Sequence, residues 1–288
     1  TALNRADLLQ RMGLYAGPAM DHEIPGLEFS GHVLAVGERV RTVEPGQPVM
    51  GIVGGGSYAE QVVTHERMLL PVPEGIALDD AAALPEVFLT AWDALVVQGG
   101  LTSGRLALVH GGASGVGTAA IQVVKALGGT IVVTASTRKV EACRVLGADL
   151  AIDYTAEDFV SAVEEFTHGQ GVDTVLDVIG GEYVDRNLDC LRTGGRIIQV
   201  GVMGGGPVPF DVGSLLMKRA TVTGTTLRAR PVERKLELCQ RFVHEMLPLF
   251  ESGALTPVID SRYSLDEIAD AHRYMESNAN TGKILIDV

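Results

Sequence analysis

An alternation of apolar strand-like runs and helix-like runs, repeated between residues 106 and 202, constrains the fold of this chain most. The run at 106–110 is followed by a glycine-rich turn and then by apolar residues at helical spacing over 118–128. Later strand-like runs, each preceded by a helix-like run or a turn, are 130–136, 150–154, 172–180 and 196–202. Strands that alternate with helices of this length predict parallel βαβ units, and hence a doubly wound parallel sheet of the α/β class.

The segments on either side of this region differ from it in composition and in the length of their apolar runs. Residues 26–73 are rich in Gly, Pro and short β-like runs (HVLAVG, QPVMGIV, YAEQVV), and the tail ends in the strand-like KILIDV. We therefore expect a mostly antiparallel β domain made of residues 1–86 and 227–288, with an α/β domain of residues 87–226 inserted in it. A helix over 232–250 is expected to pack between the two flanks.

Composition excludes several classes of protein. The chain has 288 residues, 46% of them hydrophobic and 20% charged, which suits a globular protein with a large core. A net charge of −13, with no Lys/Arg run longer than two, argues against nucleic-acid binding. No apolar stretch is long enough to span a bilayer and no leader pattern opens the chain, so we expect a cytoplasmic protein. Three dispersed cysteines (Cys143, Cys190, Cys239) predict small core residues in a reducing compartment.

The glycine-rich turn, Gly112–Gly117, joins a strand to a helix, where backbone N–H groups and the helix dipole favour a pyrophosphate. The dinucleotide pattern G-x-G-x-x-G would need glycine at Ser114, so the match is degenerate. The alternative is a tight turn that only brings helix and strand close together. The position of the turn at the start of a βαβαβ series favours dinucleotide binding.

The end of the second strand distinguishes between cofactors. An NAD site usually has Asp or Glu about twenty residues beyond the glycine turn, to bind the ribose 2′-hydroxyl. Residues 134–139 (TASTRK) instead supply hydroxyls and two cations, with no acid before Glu141. Two charge-assisted hydrogen bonds to a 2′-phosphate would favour NADPH over NADH by roughly a hundredfold. The alternative is a solvated first turn of a helix.

Six motifs, in order along the chain, resemble the quinone oxidoreductase branch of the medium-chain dehydrogenase/reductase superfamily. They are TALNRADLLQRMGLY, PGLEFSGHV, GGGSYAEQV, ALPEVFLTAWDAL, VHGGASGVGTAAIQ and NTGKILIDV. The G-x-S-G-V-G loop and the Asn-Arg-Ala-Asp opening are most similar to the tumour-suppressor-induced quinone reductases related to zeta-crystallin. The resemblance implies a GroES-like catalytic domain interrupted by a Rossmann domain, and some thirty-five catalytic-domain residues before Thr1.

The same resemblance implies cofactor contacts at individual residues. They are Thr90, Ser114, Gly115, Val116, Ser136, Lys139, Tyr154, Gly201, Met203, Gly204, Leu227, Arg228, Asn280 and Lys283. Ser136, Lys139 and Tyr154 match the set that binds the 2′-phosphate, and Asn280 and Lys283 match a strap that closes over the cofactor. Lys283 and Arg228 are alternatively ordinary surface cations.

The resemblance also bears on metal use. The catalytic-zinc ligands of the zinc alcohol dehydrogenases match Asn4, Leu27 and Glu86, which is not a zinc ligand set, so we expect no metal. Without a Lewis acid, the expected reaction is hydride transfer from NADPH to a quinone, an acceptor whose carbonyls are already activated. Asn4 would hydrogen-bond an acceptor oxygen, and Tyr15 would orient or protonate the acceptor. Tyr15 is alternatively a half-buried aromatic with its hydroxyl in water.

Three further features have structural interpretations. His110, at the end of a buried strand, is expected to be a packed and hydrogen-bonded core residue, and Glu28 a structural hydrogen-bond acceptor. The strand-like run 220–226 (ATVTGTT) would form an exposed edge of the sheet unless it is paired, so a homodimer through that edge is expected.

Two alternative functions remain open at this point. The same fold and cofactor would serve an NADPH-dependent enone or enoyl C=C reductase. The chain would alternatively be a non-catalytic NADPH-binding protein. The turnover of quinones against alkenals, and the consumption of NADPH, distinguish the three.

Overall fold

The computed structural model describes residues 1–15 and 23–288, and the chain divides into two compact units. Unit 1 comprises Thr1–Leu89 and Leu227–Val288, and unit 2 comprises Thr90–Thr226. The boundaries expected from the sequence lay after residues 86 and 226, and those of the structure lie after residues 89 and 226. Within the described ranges, no helix is both long enough and apolar enough to cross a membrane.

The first part of unit 1 is built from short elements. They are β1 (Ala2–Leu3), α1 (Arg5–Arg11), β2 (Glu28–His32), β3 (Pro48–Ile52), β4 (Leu69–Pro71), α2 (Leu78–Ala81) and α3 (Pro85–Trp92), whose last residues belong to unit 2. β2, β3 and β4 pair antiparallel, as predicted. The β-like run at 58–63 is not a strand, and Val63 is fully exposed. Its alternating pattern finds no partner strand to pair with among the described residues.

Unit 2 carries the predicted strand–helix alternation. Its elements are β5 (Leu106–His110), α4 (Gly115–Ala126), β6 (Thr130–Ala135), α5 (Thr137–Val145), β7 (Leu150–Asp153), α6 (Phe159–Phe166), β8 (Val172–Asp177), α7 (Tyr183–Cys190), β9 (Leu191–Gln199), α8 (Val212–Lys218) and β10 (Thr221–Gly224). The six strands form one sheet in the order β10-β9-β8-β5-β6-β7, and every pair is parallel. The predicted doubly wound fold is confirmed.

The sheet of unit 2 is buried because helices cover both faces of its central strands. Leu108, Val132, Val175 and Ile197 lie in one apolar cluster with no exposed surface. β9 differs from the prediction, since it begins at Leu191 and not at residue 196. Its pairing with β8 shifts register after the first pair, and Gly194 in this stretch has a φ of 79°, a conformation that favours glycine.

The tail of the chain completes unit 1. It contributes α9 (Val232–Glu251), β11 (Ile259–Ser264), α10 (Ile268–Glu276) and β12 (Lys283–Asp287). β12 lies between β1, to which it is antiparallel, and β11, to which it is parallel. The opening and closing segments therefore share one sheet, and this sheet is mixed where an antiparallel one was expected. All three cysteines of the chain are buried.

Candidate functional site

The glycine turn of unit 2 lies at the carboxyl end of β5, beside the point where the strand order reverses between β5 and β8. Ser114 caps α4, and its Oγ accepts a hydrogen bond of 3.0 Å from the Gly117 amide. A Cβ atom on Gly117 would lie 2.2 Å from the Gly111 carbonyl oxygen, so only glycine allows this approach. The amides of Gly115 and Val116 belong to the first helical turn, where no preceding carbonyl is available to them. The turn thus fits an anionic group such as a pyrophosphate.

A buried chain of hydrogen bonds supports this turn from beneath. Asn187 donates from Nδ2 to Asp177 Oδ2 (2.9 Å), so its Oδ1 accepts from His110 Nε2 (2.7 Å). Because Nε2 carries the proton of the neutral ring, His110 Nδ1 accepts from the Thr134 hydroxyl (3.0 Å). Burial lowers the pKa of His110. The interpretation of His110 as a hydrogen-bonded core residue is confirmed.

Asp177 extends the same network to the loop after β8. Its Oδ1 accepts from the amides of Ile179 (2.6 Å) and Gly180 (2.9 Å). Thr134 at the other end accepts a long hydrogen bond from the Gly111 amide (3.4 Å). One buried network therefore holds the loops that follow β5 and β8, on either side of the switch point.

The predicted 2′-phosphate residues converge at the ends of β6 and β7. Ala135 pairs with Asp153 across the two strands, so Ser136 and Tyr154 follow at the same edge of the sheet. Ser136 caps α5, Lys139 lies in its first turn, and the Tyr154 side chain is exposed. Asp153 lies at the same edge and was not predicted from the sequence; the hydroxyls of Thr137 and Thr155 hold the pKa of its carboxyl down. This carboxylate stays ionised beside the residues expected to bind a phosphate.

The loop after β9 holds three more of the predicted residues. Gly204 donates from its amide to Ile179 O (2.6 Å), and Met203 is half exposed. A Cβ on Gly201 would lie 2.8 Å from Val178 O, so this loop packs directly against the loop after β8. Thr90 lies on α3 and is partly buried. Their contacts with a cofactor stay predictions.

Unit 1 contains a buried charged cluster centred on Lys283. Its Nζ donates to Glu28 Oε1 (2.7 Å), Asn4 Oδ1 (2.7 Å) and Leu3 O (2.9 Å). The side chains of Lys283 and Glu28 are 3% and 0% exposed. Lys283 is therefore not a surface cation. The predicted contact with a cofactor would require its ammonium to break three hydrogen bonds.

The Asn4 side chain also has its hydrogen-bonding groups occupied within the cluster. Besides accepting from Lys283, it donates from Nδ2 to Glu28 Oε1 (2.8 Å) and Ala2 O (3.3 Å). Glu28 also accepts from the Glu86 amide (2.7 Å), which confirms its structural role. Both polar groups of Asn4 serve this cluster, so its predicted hydrogen bond to an acceptor remains a prediction that would require rearrangement.

A second buried carboxyl, Asp7, adjoins the cluster and was missed in the sequence. It accepts from the Asn4 amide (2.8 Å), the Gly26 amide (3.1 Å) and the Tyr58 hydroxyl (3.1 Å). Burial raises the pKa of Asp7 to about 6 in spite of these hydrogen bonds. The signal available in the sequence was the N-terminal position of Asp7 in α1, three residues after Asn4, which forms a capping box.

Arg228, Tyr15 and Glu86 lie together in unit 1. Arg228 donates to Gly54 O and Tyr15 O, both at 2.8 Å, and its guanidinium lies 5.0 Å from the centre of the Tyr15 ring. Burial, followed by the charge of Glu86, raises the pKa of Tyr15 to about 12. The hydroxyl of Tyr15 thus stays protonated at neutral pH. Arg228 is buried, so it is not the ordinary surface cation considered above.

A small cavity within unit 1 adjoins these residues. Its polar side chains are Glu86, Arg228 and Lys235, and Leu227 is part of its apolar wall. Burial, followed by the charge of Glu28, raises the pKa of Glu86 to about 8. Lys235 was not predicted as a site residue, because it lies among other charged residues in α9 and no sequence pattern distinguishes it from them.

The last predicted residue, Asn280, precedes β12. Its Nδ2 donates to Gly282 O (2.9 Å), and its side chain is buried. This bond shapes the turn that leads into β12. A direct contact between Asn280 and a cofactor stays a prediction.

The residues that the family resemblance matches to the catalytic-zinc ligands do not fit a metal ion. Leu27 is buried and has no donor atom, and Asn4 Oδ1 already accepts from the Lys283 ammonium, whose charge repels a cation. Over the described ranges, no three His, Cys, Asp or Glu side chains are grouped as a metal site.

Comparison with known proteins assigns the family. Residues 1–74 match the alcohol dehydrogenase GroES-like domain, and residues 115–241 match the zinc-binding dehydrogenase family. The chain is 30% identical to a quinone oxidoreductase-like protein 2 homolog of Nematostella vectensis, over 99% of this chain and 79% of that protein. It is 33% identical to a phenolphthiocerol/phthiocerol polyketide synthase of Mycobacterium tuberculosis, over 99% of this chain but only 13% of that much longer protein.

A solved structure agrees with this assignment. The quinone oxidoreductase of Escherichia coli, crystallised with NADPH, superposes with a TM-score of 0.88 at 27% identity, over 100% of this chain and 89% of that chain. The predicted arrangement of a GroES-like domain and a Rossmann domain is thereby confirmed. The chain belongs to the medium-chain dehydrogenase/reductase superfamily and is an oxidoreductase with quinone oxidoreductase-like relatives.

Proposed function

We propose that this protein reduces quinones with NADPH by direct hydride transfer, without a metal. The observation that carries the proposal is the contact of Asn4 Oδ1 with the Lys283 ammonium, beside the donor-free Leu27. A position that in zinc enzymes polarises the substrate here holds an amide already bonded to a buried cation. The acceptor must therefore be one that needs little electrophilic help, and a quinone is such an acceptor.

The residues of unit 2 would hold the dinucleotide. The amides of Gly115 and Val116 would bind its pyrophosphate, and Ser136, Lys139 and Tyr154 its 2′-phosphate. Bound NADPH would supply a hydride. The buried network of His110 keeps the glycine turn in a fixed shape, so little binding energy is lost in ordering it.

The residues of unit 1 would hold the acceptor. The Tyr15 ring rests against Arg228, and its protonated hydroxyl would donate a hydrogen bond that orients a carbonyl oxygen. Orientation and proximity can contribute about 7–11 kcal/mol in favourable cases.

We further propose a homodimer that pairs β10 with its counterpart. β10 is an outer strand of the six-stranded sheet, and its side chains are largely exposed. An edge strand with β-branched residues favours pairing with another chain.

The function is tested by following NADPH oxidation with purified protein and either 1,4-naphthoquinone or 9,10-phenanthrenequinone. We expect turnover with NADPH and roughly a hundredfold lower kcat/KM with NADH. Strong turnover of 2-alkenals with negligible quinone reduction would replace this proposal by C=C reduction. Tight NADPH binding without oxidation by any acceptor would replace it by a non-catalytic role.

A further inference from the structure

The cavity in unit 1 has the size of a single oxygen-bearing group. Its volume, measured as the space open to the centre of a water-sized sphere, is about 10 Å³, which is roughly the room for one water molecule. Leu27, Ile52 and Met68 form apolar walls, and Glu86, Arg228 and Lys235 supply the polar side chains. Such a space would admit one carbonyl oxygen in place of one water.

The three polar side chains differ in whether they already have hydrogen-bond partners within the protein. The Arg228 guanidinium donates to Gly54 O and Tyr15 O, and Lys235 Nζ donates to Arg228 O at 3.3 Å. The Glu86 carboxyl has no hydrogen-bond partner among residues 1–15 and 23–288. Its backbone amide donates to Glu28 Oε2 at 2.7 Å, which fixes the start of α3. Glu86 is thus the member of this set with polar atoms to offer a ligand.

We propose that Glu86, in its protonated form, is a catalytic residue that hydrogen-bonds the acceptor's carbonyl oxygen in this cavity and donates a proton to it. This inference rests on the proposed quinone reduction and names the group that completes it. Two negative groups, Glu28 and Asp7, face Glu86 and favour the protonated form, whereas Lys283 and Lys235 favour the ionised form. Arg228, Tyr15 and the buried Cys239 are further titratable groups beside it.

The step balances with one hydride and one proton. The C4–H bond of NADPH breaks and its hydride forms an O–H bond at one quinone oxygen, so NADPH is oxidised and the quinone is reduced. The O–H bond of Glu86 breaks while a second O–H bond forms at the other quinone oxygen, which gives the hydroquinone. The Glu86 carboxylate then recovers a proton from water.

The acidities support this division of roles. With its pKa raised to about 8, Glu86 is mostly protonated at neutral pH and is an acid of suitable strength. Tyr15, with its pKa raised to about 12, is a much weaker acid and is better suited to orient the acceptor.

The test compares Glu86→Gln with the wild type and with Glu74→Gln, a change at an exposed glutamate of the same unit. We expect Glu86→Gln to lower kcat about a hundredfold or more. It should also abolish the fall in kcat near pH 8 and leave the Kd for NADPH unchanged. Glu74→Gln should keep wild-type kinetics. Wild-type kcat and pH profile in Glu86→Gln would overturn the role of Glu86 and leave quinone reduction standing.

Lys235→Met provides a second test, the pH dependence of kcat, which would not change if Glu86 had only a structural role. Removal of this cation should raise the pKa of Glu86, because the carboxylate loses an attractive charge. The alkaline fall in kcat should therefore move to higher pH by roughly half a unit. An unchanged profile would overturn the proton donation. Absence of quinone turnover in the wild type, with NADPH still bound, would instead overturn the proposed function, and this inference with it.

Discussion

The ammonium of Lys283 lies 2.7 Å from Glu28 Oε1, and the two residues, 255 positions apart, are both almost completely buried. A buried ion pair of this kind is strongly destabilised when one partner is removed, because the other is left as an uncompensated charge. The pair joins β12 to β2, and so the tail of the chain to its first part.

We expect Lys283→Met to lower the free energy of unfolding by about 3–5 kcal/mol, since Glu28 would remain buried without its cation. Urea unfolding followed by circular dichroism measures this. Lys125→Met is the matched control, because the Lys125–Asp149 ion pair is partly exposed to solvent and should contribute about 1 kcal/mol or less. Equal stability losses in the two variants would contradict the expectation.

Gly117→Ala should weaken NADPH binding about tenfold or more, because the added Cβ would meet the Gly111 carbonyl oxygen at 2.2 Å and push the turn open. Fluorescence titration with NADPH measures the loss. Gly37→Ala, where a Cβ meets nothing within 4 Å, should bind NADPH as the wild type does. Undiminished binding by Gly117→Ala would show that the turn does not hold the cofactor.

Asp153→Asn should strengthen NADPH binding severalfold and leave NADH binding unchanged. The Asp153 carboxylate is ionised and lies at the sheet edge that carries Ser136 and Tyr154, so it repels a 2′-phosphate placed there. Glu141→Gln, a change at an exposed acid of α5, should have a smaller effect. A parallel gain for both cofactors would place the phosphate elsewhere.

The stability of the protein should fall as pH rises from about 4.5 to about 8, in part because of Glu86. The folded state holds a proton on Glu86 that the unfolded chain releases above its ordinary pKa, so rising pH favours unfolding. Glu86→Gln removes this dependence. The difference in free energy of unfolding, Glu86→Gln minus wild type, should be larger at pH 9 than at pH 4. Because the side chain is partly exposed, we expect this increase to be only about 1–2 kcal/mol. Parallel stability curves for the two proteins would contradict this.

Val222→Lys should convert a dimer into a monomer. Val222 lies in the middle of the edge strand β10, and a lysine there would place like charges opposite each other in a paired edge. Light scattering coupled to gel filtration measures the mass. Val63→Lys, at a fully exposed residue of unit 1, should keep the mass of the wild type. A wild-type protein that is already monomeric would refute the proposed pairing.

The doubly wound sheet was predictable because its central strands are buried on both faces and read as unbroken apolar runs. Unit 1 was harder, since its strands are short and the run at 58–63 alternates like a strand without pairing. The glycine turn and the cap at Ser114 depend on local sequence and were found.

The charged cluster of unit 1 was not predictable in the same way. Glu28 and Lys283 lie in strands β2 and β12, which are far apart in the sequence and belong to different sheets, so their contact depends on the tertiary fold. The family resemblance identified Lys283 and Asn4 as residues of interest but not their mutual contact. Burial of the Glu86 carboxyl likewise depends on how α3 and α9 pack, which no spacing in the sequence encodes.

The donors along Thr134, His110, Asn187 and Asp177 all point in one direction. Reversal or deletion of any single link would strand a polar atom in the interior, whereas joint replacement of all four would not. We therefore expect these four positions to vary as a set among related proteins, so that a substitution tolerated in one background is harmful in another.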